Sequence, residues 1–202
     1  RDIGVTGVQT CALPISSGAQ SVAIAFLHSY ANPRNEERAA ELVRSLWPNA
    51  HVSVSSEILP EIREFERTST TVLNAYLQPV VGDYLARLED ALADQGFSGQ
   101  FLVVQSNGGV MTVERARAVP IRTALSGPAA GVIAASRIAR AAGRLNVLTG
   151  DMGGTSFDVA VVADGRTVQA AQTTIDFGLV VRSPMIEMST IGAGGGSIAW
   201  VD

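Results

Sequence analysis

The chain has 202 residues, 47% of them hydrophobic and 17% charged, which supplies apolar material for a substantial core in one domain or a pair of partial ones. A formal net charge of −4 and an isoelectric point near 5.2 leave no basic footprint for nucleic acid. A single cysteine excludes an internal disulfide framework and a multi-cysteine metal site, and the longest uncharged runs are too short and too rich in Gly and Ser to span a bilayer, so the chain reads as soluble and cytoplasmic.

Residues 1–16 open on Arg1-Asp2 and lack a sustained apolar core, which argues against a signal peptide. The segment looks like translated adaptor sequence and lies outside the expected fold, together with Cys11. Ser21–Leu27 is a buried-strand run. Asn32-Pro33, followed by Glu36, Glu37 and apolar residues at 39, 42, 43 and 46, predicts a capped helix. Val52–Ser55 returns as a strand, so 17–60 reads as the tail of an α/β lobe, with a second lobe over 61–202.

That second lobe begins with helices over 61–78 and 79–95, carrying an apolar stripe at 72, 73, 76, 77, 80, 81, 84, 85 and 88. Pro79 predicts a kink or a break. Phe101–Val104 is a strand that delivers Gln105-Ser-Asn-Gly-Gly109 at its C-terminal end, where open α/β sheets place ligand contacts. Asn107, Gly108 and Gly109 read either as a tight turn or as a substrate-facing loop. Ser126-Gly127-Pro128 opens a helix of small residues running to about Ala142, with Ser126 as N-cap. Its start serves simple capping and close packing, or else presents free amides and a positive dipole to an anion.

Leu148-Thr-Gly-Asp151-Met-Gly153-Gly154-Thr155-Ser156-Phe-Asp158-Val-Ala-Val-Val162 carries the most chemistry. Two strand-like segments flank an acidic, glycine-rich turn. Gly153 and Gly154 let backbone amides approach an anion without Cβ obstruction, Thr155 and Ser156 add hydroxyl donors, and Asp151 and Asp158 offer carboxylates to a divalent cation. The metal assignment falls on Asp151, with Asp158 ordering the turn or its water shell. No Lys-Ser/Thr pair follows the glycines, so this is not a P-loop; a strand follows it, so it is not a dinucleotide fingerprint. Asp164-Gly165 then makes a tight turn into a further strand. Gly192-Ala-Gly194-Gly195-Gly196-Ser197, between strand-like 187–190 and 197–201, reads as a loop against a nucleotide or as a flexible turn. His28 and His51 have no second histidine at metal-ligand spacing, and Arg63 and Arg67 among Glu61, Glu64 and Glu66 read as a solvated helix face rather than a catalytic cluster, with Glu64 and Arg67 able to reach a lobe interface.

An acidic D-x-G-G-T-x-x-D turn between two strands resembles the phosphate loops of the actin, Hsp70 and sugar-kinase superfamily. More narrowly, Asp151–Asp158 resembles the hydantoinase A and 5-oxoprolinase family, and four further stretches match it in order: 55–70, Gln105–Gly109, Ser126–Gly131 and Ile191–Ile198. Phe157 departs from the Thr expected there. The resemblance implies a ribonuclease H-like, actin/Hsp70-type α/β ATPase lobe, a mixed sheet with flanking helices, incomplete at both ends because a second acidic turn and further chain are expected. It implies ATP and Mg²⁺ as cofactors and opening of a cyclic amide such as a hydantoin or 5-oxoproline. Gly153, Gly154, Thr155, Ser156 and Gly194, Gly195, Gly196 are then expected on the nucleotide, and Asn107, Gly108, Gly109, Ser126 and Gly127 on the substrate. A hydantoinase B-type subunit or domain is the implied partner, in an oligomer. ATP-dependent ketone carboxylation, small-molecule phosphorylation and an inactive truncated domain are the alternatives.

Overall fold

The computed structural model describes residues 16–174, 178–198 and 200. The adaptor-like segment, apart from Ser16, and part of the strand expected at 197–201 lie outside the described residues; Ser197, Ile198 and Trp200 are not in a strand. The fold is a mixed helix and sheet architecture of two compact units. The first takes the described residues within Arg1–Phe101, Thr112–Ile121 and Thr173–Ser183, and the second those within Leu102–Met111, Arg122–Gln172 and Pro184–Asp202.

The first unit is a β-α-β element with a long helix packed on it. β1 (Val22–Ile24) and β2 (Val52–Val54) pair in parallel, Val22 opposite Val52, and α1 (Arg34–Leu46) connects them. Parallel strands need such a crossover, and its buried side supplies the core: Ile24, Ala40, Trp47, Val52 and Val54 form one cluster. Each fully buried aliphatic side chain there contributes roughly 1.5–3 kcal/mol. α1 starts where its sequence predicts, but Pro33 takes the N-cap position, which a proline cannot cap with a side-chain hydrogen bond; Asn32 Oδ1, one residue earlier, accepts from the Arg34 amide at 3.3 Å instead.

One acid in its first turn has a different task. Glu36 is fully buried and accepts from the Phe26 amide, the Ser55 hydroxyl and the Ser56 amide at 2.7–2.8 Å. Burial pushes its carboxyl up, but the hydrogen bonds from Ser56, Ser55 and Phe26 outweigh that and hold it below the ordinary value of 4.5. Those bonds fasten β1 to the start of α2 (Ser55–Ile58), a short helix that sequence periodicity does not announce.

α3 (Glu64–Asp94) departs from expectation in two ways. It runs unbroken through Pro79, and it buries a polar face: Arg67, Thr71, Asn74, Ala75, Gln78, Gly82 and Leu85 point inward. Only one edge of the apolar stripe faces outward, at Val72, Tyr76, Val80 and Tyr84, which are 51–73% exposed, while Leu85 is buried and Leu73, Leu77, Val81 and Leu88 are half-buried. The inward polar groups find partners. Asn74 Nδ2 donates to Ser53 Oγ and to the Ala118 carbonyl, its Oδ1 accepts from the Ile121 amide, and Gln78 bridges Ser53 and Ala118. Satisfied polar groups tolerate burial, so the helix docks onto β2 and α4 (Val113–Ala118) through hydrogen bonds. Arg67 is not on a solvated face: only 1% exposed, it donates to the Glu61 and Phe26 carbonyls, lies 3.7 Å from Glu64 and stacks over Tyr30. β9 (Thr173–Thr174) and β10 (Val180–Val181) pair antiparallel and meet α3 where Thr70 Oγ1 accepts from the Arg182 amide and Ser69 Oγ from the Val180 amide.

The second unit is a helix on an antiparallel sheet. β3 (Leu102–Val104) and β4 (Val110–Thr112) form a hairpin. α5 (Ser126–Ala141) follows, and β5 (Val147–Met152), β6 (Phe157–Ala163) and β12 (Met188–Ile191) build the main sheet in the order β12-β6-β5. The strand expected after Asp164-Gly165 divides at Val168: β7 (Arg166–Thr167) stays on β6, while β8 (Gln169–Ala170) pairs with β11 (Met185–Ile186). Asp164 and Gly165 both take positive φ, 51° and 70°, the geometry a two-residue hairpin demands. The core lies where α5 meets the sheet, at Ala129, Val132, Ala160, Val162 and Ile186.

Candidate functional site: an acidic hairpin under a glycine-rich loop

Three strands align the acidic residues. β5 and β6 pair so that Asp151 stands opposite Asp158, and β6 and β12 pair so that Asp158 stands opposite Thr190. Directly opposite residues on one face of a sheet are neighbours, so this row sets two carboxylates and a hydroxyl side by side. Thr190 Oγ1 donates to Asp158 Oδ1 at 2.5 Å, which fixes one carboxylate of the pair. The Asp151 carboxylate reaches toward α5, its Oδ2 3.7 Å from where a Cβ on Gly131 would stand. Thr190 escapes sequence reasoning, because the register that brings it in is set by strands far apart in the chain; Gly131 lies in the matched Ser126–Gly131 stretch, but its place beside Asp151 follows only from how α5 packs on the sheet.

The turn between β5 and β6 is held from within and from above. The Gly153 amide donates to the Ser156 carbonyl at 2.9 Å, so that amide is committed to the turn. The Gly195 amide donates to the Gly153 carbonyl at 2.9 Å, which lays the 192–197 loop across the hairpin. Contact there is so close that a Cβ on Gly194 would collide with the Gly154 carbonyl and come within 2.6 Å of the Thr155 nitrogen. Gly194 therefore packs against the acidic turn through the space a side chain would fill. Above Gly154 a Cβ would meet nothing, and Gly153, Gly154 and Thr155 are exposed. Two glycine-rich stretches that the sequence presents separately thus form one interlocked surface.

Phe157, the departure from the expected Thr, has a local reason. Its ring lies over Gly150, where a Cβ would come within 2.8 Å of two ring carbons, so the aromatic and the glycine fit as a pair on one strand surface.

A groove of about 550 Å³ runs from the acidic pair along α5. Asp151, Asp158 and Thr149 give it a polar end; Pro128, Val132, Ile138, Leu148 and Met188 make most of the remainder apolar. Ser126 and Gly127 lie just before Pro128. Ser126 does not cap the helix as expected: Leu125, at φ 59° and ψ 22°, takes the N-cap position and Ser126 is the first helical residue. Left-handed Leu125 turns the chain sharply into the helix, which displaces the capping geometry by one residue.

Asn107, Gly108 and Gly109 stand apart from this groove. Asn107 Oδ1 accepts from the Gly109 amide at 2.9 Å, an Asx turn, and Gly108 has φ 83° with no room for a Cβ, which would approach Ile133 Cγ1 to 2.7 Å. Gly108 lines a second concavity on the other side of α5. The preceding Ser106 is buried and ties the turn down, its hydroxyl donating to the Arg122 and Ala124 carbonyls and its own carbonyl accepting from the Ile186 amide. Among the described residues no three His, Cys, Asp or Glu side chains gather as a metal cluster, and no helix is long and apolar enough to cross a membrane.

Sheet, helix and interlocked loops define an α/β protein that carries a paired-carboxylate, glycine-rich turn. The chain belongs to the hydantoinase/oxoprolinase family, whose profile matches residues 67–202. It is 44% identical over 186 residues to the caprolactamase subunit alpha of Pseudomonas jessenii, covering 91% of this chain and 26% of that one. The crystal structure of the ATP-dependent caprolactamase from that organism superposes with a TM-score of 0.81 at 41% identity, over 96% of this chain and 28% of the other. The 5-oxoprolinase of Saccharomyces cerevisiae is 38% identical over 185 residues, 91% of this chain and 14% of that protein. A nucleotide-free structure of acetone carboxylase matches with a TM-score of 0.78 at 30% identity, over 96% of this chain and 28% of its own. The chain therefore spans about a quarter, or less, of the length of these relatives.

Proposed function

We propose that this chain is the nucleotide-handling part of an ATP-dependent enzyme that opens a cyclic amide, a lobe of the actin/Hsp70 type. The observation that carries this reading is the Asp151–Asp158 pair in register at the mouth of a glycine-rich turn, in a chain of this family. The names of the caprolactamase and 5-oxoprolinase relatives support it.

An unstrained amide is a poor electrophile. Phosphoryl transfer from ATP to the amide oxygen breaks the bond to ADP and activates the ring carbon toward water, so that the ring opens and phosphate departs. Phosphoryl transfer needs positioning and charge neutralisation more than a protein nucleophile. The Gly154 and Thr155 amides and the Thr155 and Ser156 hydroxyls serve as phosphate donors. Gly194 and Gly195 hold the turn in place. Carboxylate oxygens are the hard ligands Mg²⁺ prefers, and two of them side by side fit it; Asp151 would hold the ion, which neutralises phosphate charge, while Asp158, fixed by Thr190, orders the site. Ser126 and Gly127, beside the groove, face the substrate in this reading, and a hydantoinase B-type subunit or domain completes the enzyme.

Asp151→Ala is expected to abolish Mg-ATP turnover in a longer protein carrying this chain, assayed with a B-type subunit, and to leave the thermal unfolding midpoint nearly unchanged, because Asp151 is exposed. Full turnover in that variant removes the metal assignment. Stimulation of ATP hydrolysis by 5-oxoproline, a hydantoin or caprolactam identifies the substrate class. Ketone carboxylation is the second reading, favoured by the acetone carboxylase match; bicarbonate-dependent stimulation by a ketone, with none by a lactam, selects it.

A further inference from the structure

The concavity on the far side of α5 is cationic. About 490 Å³ in volume, it is lined by Ile133, Ser136, Arg137 and Arg140 of α5, by Arg166, Thr167 and Gln169 of β7 and β8, and by Gly108 and Gly165 at its edges. Residues 133, 136, 137 and 140 recur at helical spacing, so one face of α5 forms the floor. Three guanidinium groups line it and no carboxylate does, in a chain whose net charge is −4. Among the described residues, Arg137, Arg140 and Arg166 form no ion pair with an acid, as is also true of Arg34, Arg87, Arg115, Arg117 and Arg144, but these three gather around one cleft.

The walls are fixed. Gly108, at φ 83°, seats the β3–β4 turn directly on Ile133, since a Cβ there would stand 2.7 Å from its side chain. At the other end Gly165, at φ 70°, leaves room for the Arg140 guanidinium, whose Nη2 donates to the Gly165 carbonyl. The Gly165 amide is in turn held by the Leu145 carbonyl at 2.7 Å, and the Asp164 amide by Asn146 Oδ1 at 2.8 Å. Gln169 Nε2 reaches the Asn107 carbonyl at 3.5 Å, joining β8 to the turn opposite. Arg140 is thereby preorganised, with one nitrogen committed to the turn and the rest of its fork left for a ligand. Asp164, on the same turn, is not part of the lining.

We propose that this cleft binds a small, multiply charged oxyanion, phosphate or carboxylate in chemistry, at a site separate from the acidic hairpin. Planar guanidinium groups take such anions through paired, charge-assisted hydrogen bonds, and Ser136, Thr167 and Gln169 add neutral donors around them. The Asn107-Gly108-Gly109 turn, which the acidic groove does not use, has its place here as the wall that shapes the cleft.

The test is calorimetric titration of the 202-residue chain with inorganic pyrophosphate at low ionic strength in the presence of EDTA, which removes the divalent cation on which binding at the acidic hairpin would depend. Saturable binding is expected, weakening steeply with added salt and by about tenfold or more in the Arg137→Gln/Arg166→Gln double variant. Arg140 is left intact because it also serves the turn. Phenylglyoxal modification of the unaltered chain gives a second readout: pyrophosphate should protect Arg137 and Arg166 and spare the modification of Arg34 and Arg38. Citrate in place of pyrophosphate separates sources, since binding of both marks a general polyanion site and binding of pyrophosphate alone a phosphate site. Absence of saturable binding by either anion, unchanged affinity in the double variant, or modification of Arg137 and Arg166 that pyrophosphate does not slow overturns the proposal.

Discussion

At the scale of single residues, Gly194 and Glu36 set limits that composition does not reveal. Gly194 is required by space, not by backbone conformation, because its missing Cβ is where Gly154 and Thr155 sit. Gly194→Ala must part the two loops or distort the turn, and is expected to cost about 1–3 kcal/mol in chemical denaturation, with faster amide exchange at Gly195. Gly196→Ala, where a Cβ meets nothing, is the matched control and should change little. Glu36 gives a pH-dependent term. Its folded pKa is held below the ordinary 4.5, so its contribution to stability is fully present above that value and is lost as the pH falls through the lowered one. Glu36→Gln should flatten the stability profile of the chain below about pH 4.5, and should also lower its plateau, since the amide meets donors with a donor. The carboxylates and glycines of the candidate site were legible here, because Asp, Gly and Thr at that spacing have few other uses. Thr190 was not, since a lone threonine has no pattern until a register places it, and Ser106 and Gly131 were legible as members of matched stretches but not in what they touch.

At the scale of elements, the hairpins and helices follow the sequence closely where local chemistry decides. Asp164-Gly165 turns as a two-residue loop, Asn32-Pro33 starts α1, and β5 and β6 flank the acidic turn. α3 shows where pattern misleads. Its apolar stripe predicts the packed face, and Leu85 of that stripe is buried, yet Val72, Tyr76, Val80 and Tyr84 face outward while Asn74, Gln78, Thr71 and Arg67 face inward, because hydrogen bonds to Ser53, Ala118 and Phe26 satisfy them. A period gives a stripe and not its direction; only the partner across the interface tells which side is inside. The proline in the same helix is a further test. Pro79 removes a donor from the helix interior without ending it, so Pro79→Ala should raise stability by about 1–3 kcal/mol in urea unfolding. No gain would mean that a partner outside the helix already meets the freed carbonyl.

At the scale of the whole molecule, each unit has its own core, one around Trp47 and Val54, the other around Val162 and Ile186. The family was legible from five ordered stretches, of which the acidic turn alone would have been weak. The division of the described residues was not, because Thr112–Ile121 and Thr173–Ser183 leave the second unit and join the first, an exchange no composition shift marks. The outward stripe on α3 bears on how the chain behaves in the tube. Val72, Tyr76, Val80 and Tyr84 succeed one another along a single ridge, each more than half exposed. Ridges of this kind are sticky in water. Light scattering of the purified chain should rise with concentration and with ammonium sulfate, and a Val72→Lys/Val80→Glu exchange should suppress that rise while leaving the circular dichroism unchanged; anyone preparing the chain for spectroscopy would meet this colloidal limit before any limit of folding.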